Sequence, residues 1–129
     1  MPESDTNENE PNPPILRGFR SWRATENHFG CHASRLTDLA GKSIYTSREY
    51  ERSAKDFAWG IGLDSCRQCK NRDGETVRFD TSTEEFAVIS CDGFIKTYFI
   101  PDPYEHRAAS NRAYFERQCV TRIEQCNQQ

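Results

Sequence analysis

The stretch TVRFDTSTEEFAVISCDGFIKTYFI (residues 76–100) points to the fold class, because its apolar residues fall in three short runs of strand length that are separated by turn residues. These runs, 76–80, 85–91 and 94–100, are rich in the β-branched and aromatic residues that strands favour. Asp92-Gly93, between the last two runs, is among the stronger short hairpin signals. We therefore predict an antiparallel meander of three strands. The preceding segment GLDSCRQCK is a candidate fourth strand, with Asp73-Gly74 as its turn.

Helical patterns lie on both sides of this stretch. Apolar residues over 22–40 recur at helical spacing, and Gly41 is placed to end that helix. The residues TSRE (46–49) match a capping box and predict the start of a second helix. The segment AASNRAYFERQCVTRIEQC (108–126) predicts a closing helix. This order predicts an α+β fold, in which N-terminal helices and a C-terminal helix pack on an antiparallel meander sheet of three to four strands.

The first fourteen residues, MPESDTNENEPNPP, differ in composition from the rest. They carry four acidic residues, no Lys or Arg and four of the six prolines, so we predict a disordered leader over 1–14 and a single domain over 15–129. The formal net charge is −3, and without the leader the chain has 17 basic against 16 acidic residues. This balance excludes the broad basic surface of a nonspecific nucleic-acid binder.

No apolar run approaches the roughly 20 residues of a membrane span. The leader also lacks the apolar segment of a signal peptide. We therefore expect no membrane contact and a protein that is cytoplasmic as synthesised.

The segment NHFGCH (27–32) holds two of the three histidines. His28 and His32 are four apart, so they share one face of the predicted first helix, at the flank of its apolar stripe. Three roles fit this position: a catalytic acid and base, structural residues at the edge of the core, or a metal-binding pair. An HExxH zinc motif needs Glu after the first histidine, and Phe29 stands there, so we expect no metal.

Several motifs in fixed order resemble the nuclease domains at the C-termini of bacterial polymorphic and contact-dependent-inhibition toxins. The resemblance spans about residues 25–118 and rests on His28-Phe29, His32, Ser47 to Tyr50, Thr83 to Phe86, Asp92-Gly93, and Lys96 to Asp102. It implies a ribonuclease of the barnase, EndoU, colicin and RelE-like group that acts in interbacterial competition, with transfer RNA as one candidate substrate. It also implies a cognate immunity protein as partner, no DNA substrate, and delivery into the cytoplasm of a target bacterium.

RNA cleavage through the 2′-OH needs a base, an acid and hydrogen-bond donors for the phosphate, and none of these has to be a metal or a cofactor. Histidine suits the first two roles because its usual pKa is about 6.5. We therefore predict a metal-independent ribonuclease without cofactors, in which His28 and His32 transfer protons. Thr97 is the predicted phosphate donor, and the alternative is a threonine that serves only the strand.

Substrate contacts are predicted for Lys96, Thr83 and Arg78, and each has a structural alternative. Strict alternation puts Thr97 on the face of Ile95 and Lys96 on the opposite face, where it is a solvated cation unless the strand bulges or ends there. Thr83 is either a phosphate ligand or a turn hydroxyl. Arg78 is either an RNA contact or an ordinary surface residue.

The six cysteines are predicted to be mostly reduced thiols that pack as small apolar side chains. Cys119 and Cys126 would then share one face of the closing helix. Two alternatives to an enzyme remain open. One is a noncatalytic RNA- or protein-binding module on the same fold, and the other is a small zinc-stabilised module built on Cys66-x-x-Cys69.

Overall fold

The computed structural model describes residues 17–126, so the leader predicted over 1–14 lies outside the described residues. In chain order the elements are α1 (Trp22–Ala40), α2 (Ser47–Trp59), β1 (Cys66–Lys70), β2 (Thr76–Asp80), β3 (Phe86–Ile89), β4 (Ile95–Phe99), α3 (Asn111–Gln118) and β5 (Glu124–Gln125). The predicted α+β class is confirmed. The sheet has five strands in the described part of the chain, instead of three to four.

The sheet is an antiparallel meander with one strand added at its edge. Its spatial order is β4-β3-β2-β1-β5, and each neighbouring pair is antiparallel. The turns before β2 and β4 contain Gly74 (φ 79°) and Gly93 (φ 90°), whose left-handed backbone favours glycine. Both turns predicted from Asp-Gly pairs are therefore confirmed.

Helices cover both faces of the sheet. On one face, α1 and α2 pack around a core that includes Leu36, Tyr50, Ile95 and Tyr98. On the opposite face, α3 packs on a second core that includes Val77, Phe79, Phe86 and Phe115. Because neither face is left to solvent, every residue of β3 is buried, and so are the last four residues of β2.

Arg78 on β2 is one of the polar residues buried by this arrangement, with 4% of its surface exposed. Its Nη1 donates to the carbonyl oxygens of Phe57 and Ala58 at 2.7 and 2.8 Å. These carbonyls belong to the last turn of α2, which has no intrahelical partner for them. The expected surface position is wrong, and Arg78 joins the end of α2 to the sheet. At the other end of α2, the predicted capping box of Thr46 and Glu49 is confirmed.

A β-bulge in β4 overturns the predicted alternation. Ile95 pairs with Ile89 and Thr97 pairs with Val88, which leaves Lys96 as an extra residue. Ile95 therefore joins the core under α1 and α2, whereas Thr97 shares the α3 face with its partner Val88. The prediction that Ile95 and Thr97 lie on one face is wrong, because alternation cannot register an inserted residue.

The closing helix is shorter than predicted, since α3 ends at Gln118. The next residues, 119–126, turn back along β1, and we call this segment the strap. Its backbone is held by β1: Val120 N–H donates to Lys70 O at 2.9 Å, and Cys126 N–H donates to Cys66 O at 3.0 Å. The strap contributes β5, the edge strand that the sequence did not predict.

Two disulfides cross-link the strap to β1, Cys66–Cys126 and Cys69–Cys119. Positions three apart on a strand point to opposite faces, so one disulfide lies on each side of the sheet. The prediction of mostly reduced thiols is wrong, and so is a single helical face for Cys119 and Cys126. The zinc module on Cys66-x-x-Cys69 is also wrong, because both sulfurs are used in disulfides. The remaining cysteines, at positions 31 and 91, are free and exposed.

Candidate functional site

Helix α1 brings His28 and His32 side by side. The helix begins where the Ser21 side chain accepts a hydrogen bond from Ala24 N–H, and it ends at Gly41, whose φ is 69°. The two imidazole ring centroids are 5.5 Å apart and tilted by 40°. The predicted placement on one helix face is confirmed.

The pair lies along the edge strand β4. Phe19, just before α1, pairs in parallel with Ile95 at the start of β4. Further along α1, Arg35 donates to the carbonyl oxygens of Ile100 and Pro101 at 3.0 and 2.8 Å. These contacts show that α1 and β4 run in the same direction. The histidines, between Phe19 and Arg35, therefore lie beside the middle of the strand.

Aromatic rings bracket the pair on both sides. His28 stacks on Phe19 with centroids 5.0 Å apart, and His32 stacks on Phe99 at 4.8 Å. The contacts continue from Phe99 to the third histidine, His106, at 6.1 Å, and from His106 to Tyr114 at 4.0 Å. We call this set the ring row: Phe19, His28, His32, Phe99, His106 and Tyr114.

Partial burial keeps both imidazoles of the pair neutral near pH 7. Loss of hydration lowers the pKa of His28, and it lowers the pKa of His32 to about 4, with a smaller contribution from the neighbouring charge on His28. Nδ1 of His28 is buried and has no hydrogen-bond partner within residues 17–126. A neutral imidazole can accept a proton, and a bound phosphate would raise its pKa by favouring the charged form.

Thr97 lies on the same strand edge as the pair. The bulge turns its side chain to the face that carries Phe99, the residue on which His32 stacks. Its side chain is partly exposed. Thr97 is therefore linked to the histidine pair only through Phe99, whose sheet face it shares.

The other three predicted contacts lie elsewhere. Lys96, at the bulge, makes an ion pair with Glu75 at 3.0 Å. Thr83 lies in the β2–β3 turn, where its hydroxyl donates to Glu85 at 2.8 Å. Arg78 is buried beneath α2. The structure therefore does not gather Lys96, Thr83 and Arg78 around the histidine pair.

A second polar site, missed at the sequence level, surrounds Glu85. This carboxylate is 4% exposed, accepts a hydrogen bond from the Tyr98 hydroxyl, and lies 3.4 Å from Lys42 Nζ. It lines a cavity of about 360 Å³ between α2 and the β2–β3 turn, together with Ser53 and Asp56. Burial, reinforced by the charge of Glu85, raises the pKa of Tyr98. Glu85 was missed because a charged residue at a predicted strand start normally faces solvent.

Neither a protein-family model nor a curated protein sequence matches this chain. Among residues 17–126, no three His, Cys, Asp or Glu side chains are arranged to hold a metal ion. In the same part of the chain, every helix is too short or too polar to cross a membrane.

Proposed function

We propose that this protein is a metal-independent endoribonuclease that cleaves RNA by attack of the 2′-OH on the adjacent phosphate. The observation that carries the proposal is the pair of imidazoles, His28 and His32, whose ring centroids are 5.5 Å apart beside the edge strand β4. Two proton-transfer groups side by side supply the acid and the base of this reaction, and the partly exposed Thr97 on β4 is the proposed donor to the phosphate.

The environments of the two histidines suggest their roles. His32, with a pKa of about 4, is neutral and acts as the base that takes the proton from the 2′-OH. The 2′-oxygen then forms a bond to phosphorus while the bond from phosphorus to the 5′-oxygen breaks. His28, which binds the phosphate in its protonated form, gives its proton to the departing 5′-oxygen. Thr97 donates a hydrogen bond to a phosphate oxygen, and the product is a 2′,3′-cyclic phosphate.

The resemblance to toxin nuclease domains supports the same chemistry and extends it to the cell. A ribonuclease of this kind acts in the cytoplasm of a target bacterium, with transfer RNA as one candidate substrate, and a cognate immunity protein covers its site in the producing cell. DNA is not a substrate because it lacks the nucleophilic 2′-OH. The two disulfides are consistent with passage through an oxidising compartment on the way to the target.

The test uses a fluorescent RNA oligonucleotide in excess EDTA. We expect cleavage to yield cyclic phosphate ends, and His28→Ala or His32→Ala to lower the rate by about 10²–10⁴-fold with the fold intact. A matched oligonucleotide with a single 2′-deoxy sugar at the cleaved position should resist. Cleavage of that oligonucleotide, or full activity of the double alanine variant, would overturn the proposal.

A second set of variants tests Thr97. Thr97→Val keeps the shape of the side chain but removes its hydroxyl, and we expect a loss of about 10²-fold if that hydroxyl contacts the phosphate in the transition state. Thr97→Ser restores the donor and should recover most of the rate. Equal rates for all three proteins would remove Thr97 from the site.

The second candidate function is a noncatalytic RNA-binding module, which binds RNA at the same site but does not cleave it. It predicts RNA binding without cleavage in the unmodified protein. The same oligonucleotide separates the two functions. A ribonuclease converts it to cleaved product, whereas a binding module leaves it bound and intact.

A further inference from the structure

The ring row extends beyond the histidine pair to the segment that follows β4. This segment, residues 102–108, is a closed turn: His106 N–H donates to Asp102 O at 3.3 Å, and Ala108 N–H donates to Pro103 O at 2.9 Å. Arg107 near its end has a φ of 54°. We call this segment the post-β4 loop, and its internal hydrogen bonds give it a defined shape.

Side chains of helix α3 contact the post-β4 loop and fix its position. Tyr114 stacks on His106 at 4.0 Å, and the guanidinium of Arg117 lies over the Tyr114 ring, 5.6 Å from its centroid. Arg117 Nη2 also donates to the carbonyl oxygen of His106 at 2.8 Å. The loop is therefore fixed in place next to Phe99 and, through it, next to His32.

Tyr104 projects from this fixed loop into solvent. It is 89% exposed, and its ring contacts no other ring within residues 17–126. An exposed aromatic ring on a rigid support can stack on a nucleic-acid base, and the same loop carries the cation Arg107 and contacts Arg117. The fold itself does not use this ring.

We propose that Tyr104 is a stacking subsite for an unpaired RNA base next to the cleaved phosphate, with His106 and Tyr114 as its support. This inference rests on the proposed function and names its substrate class. A base inside a duplex has both faces covered, so the subsite accepts a nucleotide from a single strand, a loop or a bulge.

The test measures binding apart from cleavage, in the full chain with His28→Ala and His32→Ala. Fluorescence anisotropy compares one labelled RNA strand with the same strand annealed to its complement. We expect Tyr104→Ala to weaken binding of the single strand by about 5- to 150-fold, the range for loss of one base–aromatic stack. Tyr104→Phe keeps the ring and should rescue the affinity, and duplex binding should not respond to Tyr104→Ala.

Tyr45 provides the matched control because it is also a loop tyrosine, 75% exposed, but lies before α2. Tyr45→Ala should leave single-strand binding unchanged. The subsite is overturned if Tyr104→Ala binds like its parent, if it weakens single strand and duplex alike, or if the single strand does not bind. Cleavage that survives the histidine substitutions overturns the proposed function instead, and leaves the Tyr104 result standing.

Discussion

Replacing the two disulfides separately and together tests how the strap stabilises the fold. Cys66–Cys126 and Cys69–Cys119 join residues that are 60 and 50 apart, so each alone restricts the unfolded chain by about 4 kcal/mol on the chain-entropy account. The two are nested, however. Once one is closed, the other closes only a small ring made of residues 66–69 and 119–126, which contributes about 3 kcal/mol.

We therefore expect Cys69→Ala with Cys119→Ala, or Cys66→Ala with Cys126→Ala, to lower the free energy of unfolding by about 3 kcal/mol each. Removal of all four cysteines should cost about 7 kcal/mol, more than the two pair variants combined. That loss is comparable to the whole stability of a typical domain, so this variant should be largely unfolded.

Urea unfolding followed by circular dichroism gives these free energies, and thiol titration of the denatured, nonreduced protein should find the two free cysteines. Cys31→Ser and Cys91→Ser are the controls, since both thiols are exposed and unbonded in the described part of the chain. The reasoning fails if either pair variant loses less than about 1 kcal/mol, or if the variant without all four cysteines is as stable as the pair variants.

Three further predictions concern single residues. Folding lowers the pKa of His32 from about 6.5 to about 4, so the folded protein binds fewer protons than the unfolded chain between these pH values. The protein should therefore lose stability as the pH falls from 6.5 towards 4. His32→Phe, which keeps the stack on Phe99, should show a smaller fall in thermal midpoint over that range. Gly30→Ala, where a Cβ meets nothing within 4 Å, should stabilise α1 by about 0.5–1 kcal/mol, whereas Gly41→Ala at φ 69° should destabilise it by about 1–2 kcal/mol in the same urea assay. Arg78→Met leaves the carbonyl oxygens of Phe57 and Ala58 without their hydrogen-bond donor and should lower the free energy of unfolding by about 3 kcal/mol. The same change at Arg48, which is exposed, should leave the stability unchanged.

Local sequence patterns predicted the helices and turns well because their causes are local. The end of α1 follows from Gly41, and the capping box of α2 follows from Thr46 and Glu49, whose contacts lie within a few residues. The i, i+4 placement of His28 and His32 is equally local. These features required no knowledge of what packs against them.

The failures arise from contacts between distant residues. Arg78 looked like a surface residue because alternation assumes one solvated face, and here helices cover both faces of the sheet. The segment after Gln118 has a helical apolar pattern, but its disulfides and its hydrogen bonds to Lys70 hold it along β1 instead. The bulge at Lys96 adds one residue to β4, which reverses the face of every earlier position in that strand.

Contacts between residues that are far apart in the sequence also explain why the candidate site could be predicted only in part. Thr83 and Lys96 lie at motif positions of the toxin nuclease domains, but their side chains bind Glu85 and Glu75. Tyr104 gave only a weak signal in the sequence, since a loop tyrosine is ordinary. Its significance comes from the support beneath it, which α3 supplies from a later part of the chain.

The strap also protects an edge of the sheet. β1 would otherwise present unpaired backbone N–H and C=O groups from Cys66 to Lys70, a template on which a second copy of the chain could add a strand. At the opposite edge, Gly18 accepts a hydrogen bond from Ile95 N–H and occupies the first part of β4. Loss of one disulfide leaves the cores folded but loosens the strap, so its first visible consequence should be concentration-dependent aggregation through β1.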